Sequence, residues 1–307
     1  VRTIDNAAWA GAEPRLSVLV PFFRYDPRTL LARLADEAAA MAGAVEFLVL
    51  DDGGGDRALT EGAAEQLAAI TAPARLIVLS GNEGRARGRN RLAAGARARH
   101  LLLIDCDMAP DAPDYLRRYL KLAEEDVAAA FGGFSVDKAK PTRDQTLHRA
   151  LQQRAECLPA RLRALQPEKY VYTSNLLVRR DVFDAEAFDE GFTGWGWEDV
   201  EWGMRIAARF EVLQVENTAT HLGLDDSAVL AGKYEQSVAN FARVVARHPE
   251  VVRRYPSYRL ARLLKAMPFR KTWRPLLKAA ALMASAPLPL RILAMKTYRA
   301  ALYAEVV

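Results

Sequence analysis

Cysteine is scarce: only Cys106 and Cys157 occur among 307 residues. Two isolated thiols suggest neither a disulfide framework nor a zinc site, so the expected setting is reducing and cytosolic. Long apolar runs are also missing. The longest uncharged stretch near the C-terminus, Ala279 to Leu290, falls short of the roughly 20 apolar residues a spanning helix needs. The opening VRTIDNAAWAGAEP lacks the charged-then-apolar pattern of a signal peptide. No G-x-G-x-x-G follows the first apolar run, so a dinucleotide fingerprint is excluded. Acids nearly vanish late in the chain: from Arg247 to Val307 there are 13 Lys or Arg against Glu250 and Glu305. The net charge of +5 therefore hides an acidic body and a strongly basic tail, an asymmetry that points to a partner.

What is present is 51% hydrophobic content, enough to bury one large core with or without an appendage. LSVLVPF from Leu16, VEFLVL from Val45, RLIVLS from Arg75 and LLLID from Leu101 read as strands covered on both faces. Asp26 and Pro27 read as an N-cap and first helical residue, with a stripe of Leu30, Leu34, Ala38 and Met41 that Gly43 stops. Further helices are expected over 58–70 and 84–99. Strand, helix, strand at this spacing predicts right-handed parallel crossovers and a doubly wound, mostly parallel α/β sheet flanked by helices. Beyond Pro110 the pattern predicts a helix over 115–125, a strand over 127–134, a mobile loop over 137–145 and a strand over 172–178. A helix from Trp197 and a strand over 212–222 follow, then a basic helical remainder broken by prolines.

Ligands of open α/β sheets bind beyond the carboxyl ends of strands, where this chain places Asp51-Asp52 and Asp105-Cys106-Asp107. Asp105 and Asp107 are two apart, so extended backbone sends both carboxylates to one face. Such a pair suits Mg2+ or Mn2+ bridging phosphates, or it is simply a polar turn. Gly53, Gly54 and Gly55 let backbone approach a nucleotide. The run GRARGRN from Gly84 opens a helix whose N-terminus attracts anions. Arg85 and Arg87 meet a diphosphate there or form a solvated face, and Arg89 either joins them or supports the aspartates from behind. In Gly194-Trp195-Gly196-Trp197-Glu198-Asp199 the tryptophans offer flat faces to a sugar or pack in a core, with core packing favoured for Trp202. Glu198 and Asp199 fall at a helix start, where the dipole favours ionised carboxylate and where capping selects the same residues.

Taken in order, VLVPFF, VLDDGG, NEGRARGRN, LLLIDCDM, TSNLLVRRDVF, FDEGFTGWGWEDVEWGMR and His221 resemble family 2 glycosyltransferases of the GT-A fold. The GWGWED segment is similar to that of bacterial chondroitin-polymerase-type enzymes and β-1,4-galactosyltransferases. The resemblance covers roughly residues 16–224. It implies that Pro21, Phe23 and Asp52 hold the nucleotide base, that Asp105 and Asp107 bind ribose and metal, and that His221 is a further metal ligand. It also implies Asp199 as the general base of an inverting enzyme, and Glu198 as a hydrogen-bonding partner of acceptor or donor sugar. Arg89 joins the nucleotide-sugar set, and Trp195 and Trp197 the acceptor platform. Two departures stand out: D-D-G is followed by glycine, and PFFRYD replaces P-x-Y-N, so Phe23 lacks a hydroxyl. The implied donor is a UDP-sugar with Mn2+ or Mg2+, and the implied acceptor a glycan or lipid-linked saccharide.

The expected organisation is a GT-A domain over 1–224, with a nucleotide-binding half (14–110) and an acceptor half (111–224), then a basic helical region over 225–307. A sugar-1-phosphate nucleotidyltransferase would want a glycine-rich basic loop after the first strand, where this chain has Phe22-Phe23-Arg24-Tyr25-Asp26-Pro27. A basic nucleic-acid-binding module would leave the W-E-D cluster without a role, so no nucleic-acid partner is expected. In the tail, Tyr258, Leu260, Leu263, Leu264 and Met267 interleave with Arg259, Arg262, Lys265, Arg270 and Lys271. That pattern suits an interfacial helix on an anionic membrane, peripheral on its cytoplasmic face, or an appendage packed on the catalytic domain.

Overall fold

The computed structural model describes residues 1–307 apart from the side chain of Lys271, so that member of the basic tail series lies outside the described residues. The chain begins β1 (Arg2–Asp5), β2 (Leu16–Phe22), α1 (Arg28–Ala38), β3 (Val45–Asp51), α2 (Arg57–Ala69), β4 (Ala74–Val78), α3 (Arg85–Gly95) and β5 (His100–Ile104). Next come β6 (Met108–Pro110), α4 (Tyr115–Glu124), β7 (Ala129–Phe131), β8 (Phe134–Ser135), α5 (Thr146–Ala155), α6 (Ala160–Arg163) and β9 (Asn175–Arg179). Then follow α7 (Arg180–Ala185), α8 (Glu198–Ala207), β10 (Val212–Gln214) and β11 (Ala219–His221). Five helices close the chain: α9 (Ser227–Arg247), α10 (Pro249–Val252), α11 (Pro256–Lys265), α12 (Arg270–Leu282) and α13 (Leu288–Tyr303).

Eight strands form the main sheet in the order β1-β4-β3-β2-β5-β9-β7-β10. The four expected strands pair in parallel, Leu16 opposite both Val45 and His100. Their side chains are buried on both faces, which is why they read as unbroken apolar runs. The chain moves outward from β2 to β3 and β4, then returns to place β5 on the other side of β2. That reversal opens a crevice at the carboxyl ends of β2 and β5, the usual ligand position in such sheets. β9 runs antiparallel between β5 and β7, and β1 adds an antiparallel edge that the apolar pattern did not signal.

Two expected strands are each broken in two. Residues 127–134 divide into β7 and β8, and residues 212–222 into β10 and β11; the second member of each pair joins a small sheet of order β6-β11-β8. Asn175 causes both breaks. Fully buried, its side-chain oxygen accepts hydrogen bonds from Tyr115 and Tyr119 hydroxyls at 2.5 and 2.6 Å, while its Nδ2 donates to Gly133 and Asn217 carbonyls at 2.8 Å. The hub satisfies the main chain where it leaves one sheet for the other. Gly132 is required there, since a Cβ would lie 2.0 Å from the Tyr119 hydroxyl. Smaller shifts occur elsewhere: α1 begins at Arg28 with Pro27 in the cap position, and the Asp26 carboxylate accepts from Arg28 N at 3.0 Å. Residues 146–155, which showed no clear pattern in the sequence, form α5.

The region after residue 224 packs on the rest through a second core. Phe192 and Met204 join Leu230 and Phe241 of α9 and Met295 and Tyr303 of α13. Within the basic series Leu264 is buried and Tyr258 and Leu260 are half-buried, so part of the apolar stripe serves packing. The remainder does not. Leu263, Phe269, Leu276 and Leu293 are 67%, 80%, 68% and 63% exposed, and Met267, Met283 and Leu290 are exposed as well.

Candidate functional site

The small sheet assembles the first part of the site. β11 pairs with β6 so that His221 stands opposite Met108, which brings the imidazole beside Asp107. Its Nε2 lies 3.2 Å from Asp107 Oδ2, the Gln152 side-chain amide meets Nδ1 at 3.1 Å, and Leu222 N donates to the Asp107 carbonyl at 2.9 Å. Gly223 must stay small, because a Cβ would fall 2.2 Å from Asp107 Oδ2. Burial alone would raise the Asp107 carboxyl, but the hydrogen bond and charge of His221, with Arg85, hold it below the usual range. Burial would likewise depress His221, and the Asp107 hydrogen bond and charge raise it instead. Asp107 Oδ1 is buried with no hydrogen-bond partner.

Asp105 turns the other way. Its Oδ1 accepts from Arg89 Nη2 at 2.9 Å, and Arg89 Nη1 reaches Glu198 Oε1 at 3.3 Å. Arg89 is 2% exposed and Glu198 4%, so one buried guanidinium ties the loop after β5 to the start of α8. Of the two positions open to Arg89, the structure has the one against Asp105. Among the described residues no three His, Cys, Asp or Glu side chains converge as a metal cage; of the three proposed ligands, Asp107 and His221 meet and Asp105 is engaged by Arg89.

Asp199 follows Glu198 into the cleft, half-buried, with Oδ1 accepting from Val200 N at 2.8 Å. Burial, reinforced by the neighbouring Glu198 charge and opposed by Arg89 and Arg85, pushes its carboxyl up to about 7. The preceding loop is held in an uncommon shape: Gly194, Gly196 and Trp197 have φ of 72°, 85° and 76°. A tryptophan in the left-handed region is strained and persists only where surroundings over-determine it. Here Asn240 Nδ2 donates to the Thr193 and Gly196 carbonyls at 2.9 and 2.8 Å, and Trp197 Nε1 donates to the Tyr303 hydroxyl at 2.9 Å. Trp197 packs on Phe241 and Tyr303, and Trp195 on Tyr234. Both rings keep partial exposure, but their main contacts are with the second core. Trp202 is fully buried.

On the nucleotide side, Pro21 is half-buried and Phe23 43% exposed at the end of β2. The Asp52 carboxylate accepts from Glu83 N at 2.8 Å, Gly84 N at 3.1 Å and Asn82 Nδ2 at 2.9 Å. Asp52 is thus itself an anion held just before α3, and its carboxyl is raised by burial against the lowering effect of those backbone bonds. Gly53 also serves the fold: a Cβ would lie 2.2 Å from Gly81, so the glycine turn lets two loops touch. Arg87 pairs with Glu190 on the surface, whereas Arg85 faces the cleft 3.7 Å from Glu198. Tyr25, whose hydroxyl is raised by burial and by the Asp107 charge, was missed as a neighbour of the site, although it lies in the loop singled out for lacking glycine.

A family model described as Glycosyl transferase family 2 matches residues 17–186. An N-acetylglucosaminyltransferase of Bradyrhizobium elkanii is 29% identical over 120 residues, which span 39% of this chain and 65% of that protein. The mannosyltransferase PcManGT from Pyrobaculum calidifontis, solved with GDP-Man and Mn2+, is similar at a TM-score of 0.58 and 18% identity, over 97% of this chain and 88% of that one. S. aureus TarS 1-349 in complex with UDP is similar at a TM-score of 0.50 and 13% identity, over 95% and 90% of the two chains. At these identities the structural likeness concerns the fold: a GT-A α/β architecture with a helical C-terminal region.

The shared guanidinium gives a direct test. Arg89→Met leaves the buried Glu198 and the half-buried Asp105 carboxylates without their cation and is expected to cost about 3–5 kcal/mol of stability. Urea unfolding followed by fluorescence measures it, and an unchanged midpoint would contradict the assigned role.

Proposed function

Because the chain belongs to glycosyl transferase family 2, we propose that it moves a sugar from a UDP-sugar onto a hydroxyl of a glycan or lipid-linked saccharide, with inversion at the anomeric carbon. Family membership favours this over the nucleotidyltransferase and nucleic-acid readings. Within the family we group it with the GWGWED members on the sequence resemblance. The observation that carries the mechanism is Asp199: a half-buried carboxyl raised to about 7 at the start of α8, next to the Glu198 that Arg89 ties to the loop after β5. Asp199 takes the acceptor hydroxyl proton as that oxygen bonds to the anomeric carbon. The bond from that carbon to the diphosphate breaks on the opposite face, and the diphosphate leaves with the electron pair. Glu198, fixed by Arg89, hydrogen-bonds a sugar hydroxyl. Pro21, Phe23 and Asp52 border the base, and Trp195 and Trp197 back the acceptor through their exposed edges.

The residues present fit a divalent cation. Asp107 offers a buried oxygen without a partner and His221 an imidazole beside it, and few-carboxylate sites completed by substrate phosphates are typical of Mg2+ and Mn2+. Asp107 and His221 would hold the ion, with Asp105 alongside, and a bound ion would offset diphosphate charge. The GDP-Man and Mn2+ held by the similar mannosyltransferase, and the UDP held by the TarS fragment, support a nucleoside-diphosphate donor. Calorimetric titration with UDP is expected to show binding with Mn2+ that is lost with excess EDTA and in Asp107→Ala. Equal affinity in all three conditions refutes the metal assignment.

A base must be deprotonated to work, so activity should fall as pH drops through about 7, approaching tenfold per unit on the acid limb. Asp199→Asn removes basicity at nearly constant size. Turnover should drop by roughly 10²–10⁴-fold with UDP affinity unchanged. Near-normal turnover in that variant, or a retained anomeric configuration by proton NMR, overturns the mechanism.

We also propose that the C-terminal helices rest on an anionic, cytoplasmic membrane face. Among the described residues no helix is long and apolar enough to cross a membrane. Exposed Leu263, Met267 and Phe269 nevertheless stand beside exposed Arg259, Arg262 and Lys265, and each basic residue near such a surface contributes about 1 kcal/mol. Liposome flotation should recover the protein with phosphatidylglycerol vesicles and not with phosphatidylcholine alone. Equal recovery from both makes the region purely structural.

A further inference from the structure

Helix α5, which carried no clear pattern in the sequence, turns one face towards His221. His148 and Gln152 stand four residues apart on it, so both side chains leave on the same side. Both are buried, at 7% and 6% exposure. The His148 ring meets the His221 ring edge-on at 5.9 Å, and Phe134 lies against His221 at 5.3 Å. His148 is itself fixed, its Nδ1 accepting from Asp225 N at 2.8 Å. These contacts set the plane of the His221 ring. Gln152 sets what its Nδ1 can do.

The Gln152 side-chain amide has His221 as its hydrogen-bond partner and, among the described residues, no other. Its Nε2 lies 3.1 Å and its Oε1 3.2 Å from His221 Nδ1. A buried amide costs free energy unless it is bonded, so this one is committed to the imidazole. Standing nearly equidistant, it can donate to an unprotonated Nδ1 or accept from an Nδ1–H without moving. The other ring nitrogen, Nε2, is 3.2 Å from Asp107 Oδ2. A proton on Nε2 satisfies that contact, because an ionised carboxylate only accepts. A cation held by Asp107 and His221 needs the Nε2 lone pair instead, and a neutral imidazole then carries its proton on Nδ1. The ring proton thus changes sides through water, and Gln152 Oε1 is the acceptor that faces its new position.

We propose that Gln152 is a positioning residue for the divalent cation: its amide oxygen accepts the His221 Nδ1–H and so holds the Nε2 lone pair towards an ion beside Asp107. Because the same amide can also donate to Nδ1, the site can load and empty without a movement of α5. This rests on the metal assignment above.

The test titrates the full chain with Mn2+ at a fixed UDP concentration. Enhancement of water-proton relaxation reads the ion bound to protein apart from Mn2+–UDP in solution. Gln152→Met keeps the size and removes the acceptor, and Gln152→Asn keeps an amide but draws it back by one carbon. Both should weaken Mn2+ binding about tenfold or more. Gln152→Glu, an obligate acceptor of the same length, should bind at least as tightly as wild type. Spin-echo modulation from a coordinated nitrogen should appear in the wild-type and Gln152→Glu complexes. A melting temperature near that of wild type, measured without the ion, shows which variants are folded, and Gln152→Asn carries the comparison if Gln152→Met is not. Equal Mn2+ affinity in wild type and the folded Met or Asn variant, or a Gln152→Glu as weak as they are, overturns the inference. Mn2+ binding without nitrogen modulation removes His221 from the ion and overturns it as well. Wild type that binds no Mn2+ in the presence of UDP refutes the metal assignment itself, and this inference with it.

Discussion

Two carboxylates from distant parts of the chain, Asp105 after β5 and Glu198 at the start of α8, share the guanidinium of Arg89 inside the protein. Glu198, buried alone, would carry a large desolvation cost, and the two carboxylates together would repel. The fork of Arg89 lets them sit on either side of one cation, and that sets the distance between the D-x-D loop and the W-E-D helix. Buried ion pairs are often near neutral in stability against apolar replacements. We read the contribution of Arg89 as positional: it fixes which groups face the cleft. With Asp105 and Glu198 held, Asp107 and Asp199, the next-but-one and next residues, are left to the crevice.

The other side of the cleft depends on a neutral hub. Asn175 collects two tyrosine hydroxyls and two main-chain carbonyls, and through them lets two segments step from the large sheet to the small one. The step matters because β11, once in the small sheet, pairs with β6 and delivers His221 to Asp107. An amide with four satisfied bonds can do this in a dry interior where a charged group would need a counter-ion.

The C-terminal helices supply the third support. Asn240 of α9 and Tyr303 of α13 hold the loop that ends in Trp197, whose left-handed backbone is costly without external bonds. A region that reads in sequence as a basic appendage thus sets the geometry of the loop leading into Glu198 and Asp199, while its outer face remains apolar and basic.

The amino-acid sequence alone determined the parallel part of the sheet, because buried strands must be continuous apolar runs and leave a local signature. It also determined the aspartate and W-E-D positions, whose short-range spacing puts carboxylates at strand and helix ends. Tertiary structure decided the rest. The breaks at 132–133 and 215–218 depend on Asn175, some 40 residues from each, and no local pattern carries that information. Asp52 could be assigned to a nucleotide base by motif, yet its bonds go to a loop 30 residues onward. Trp195 and Trp197 look alike as sugar platforms or core residues until α9 and α13 are seen against them.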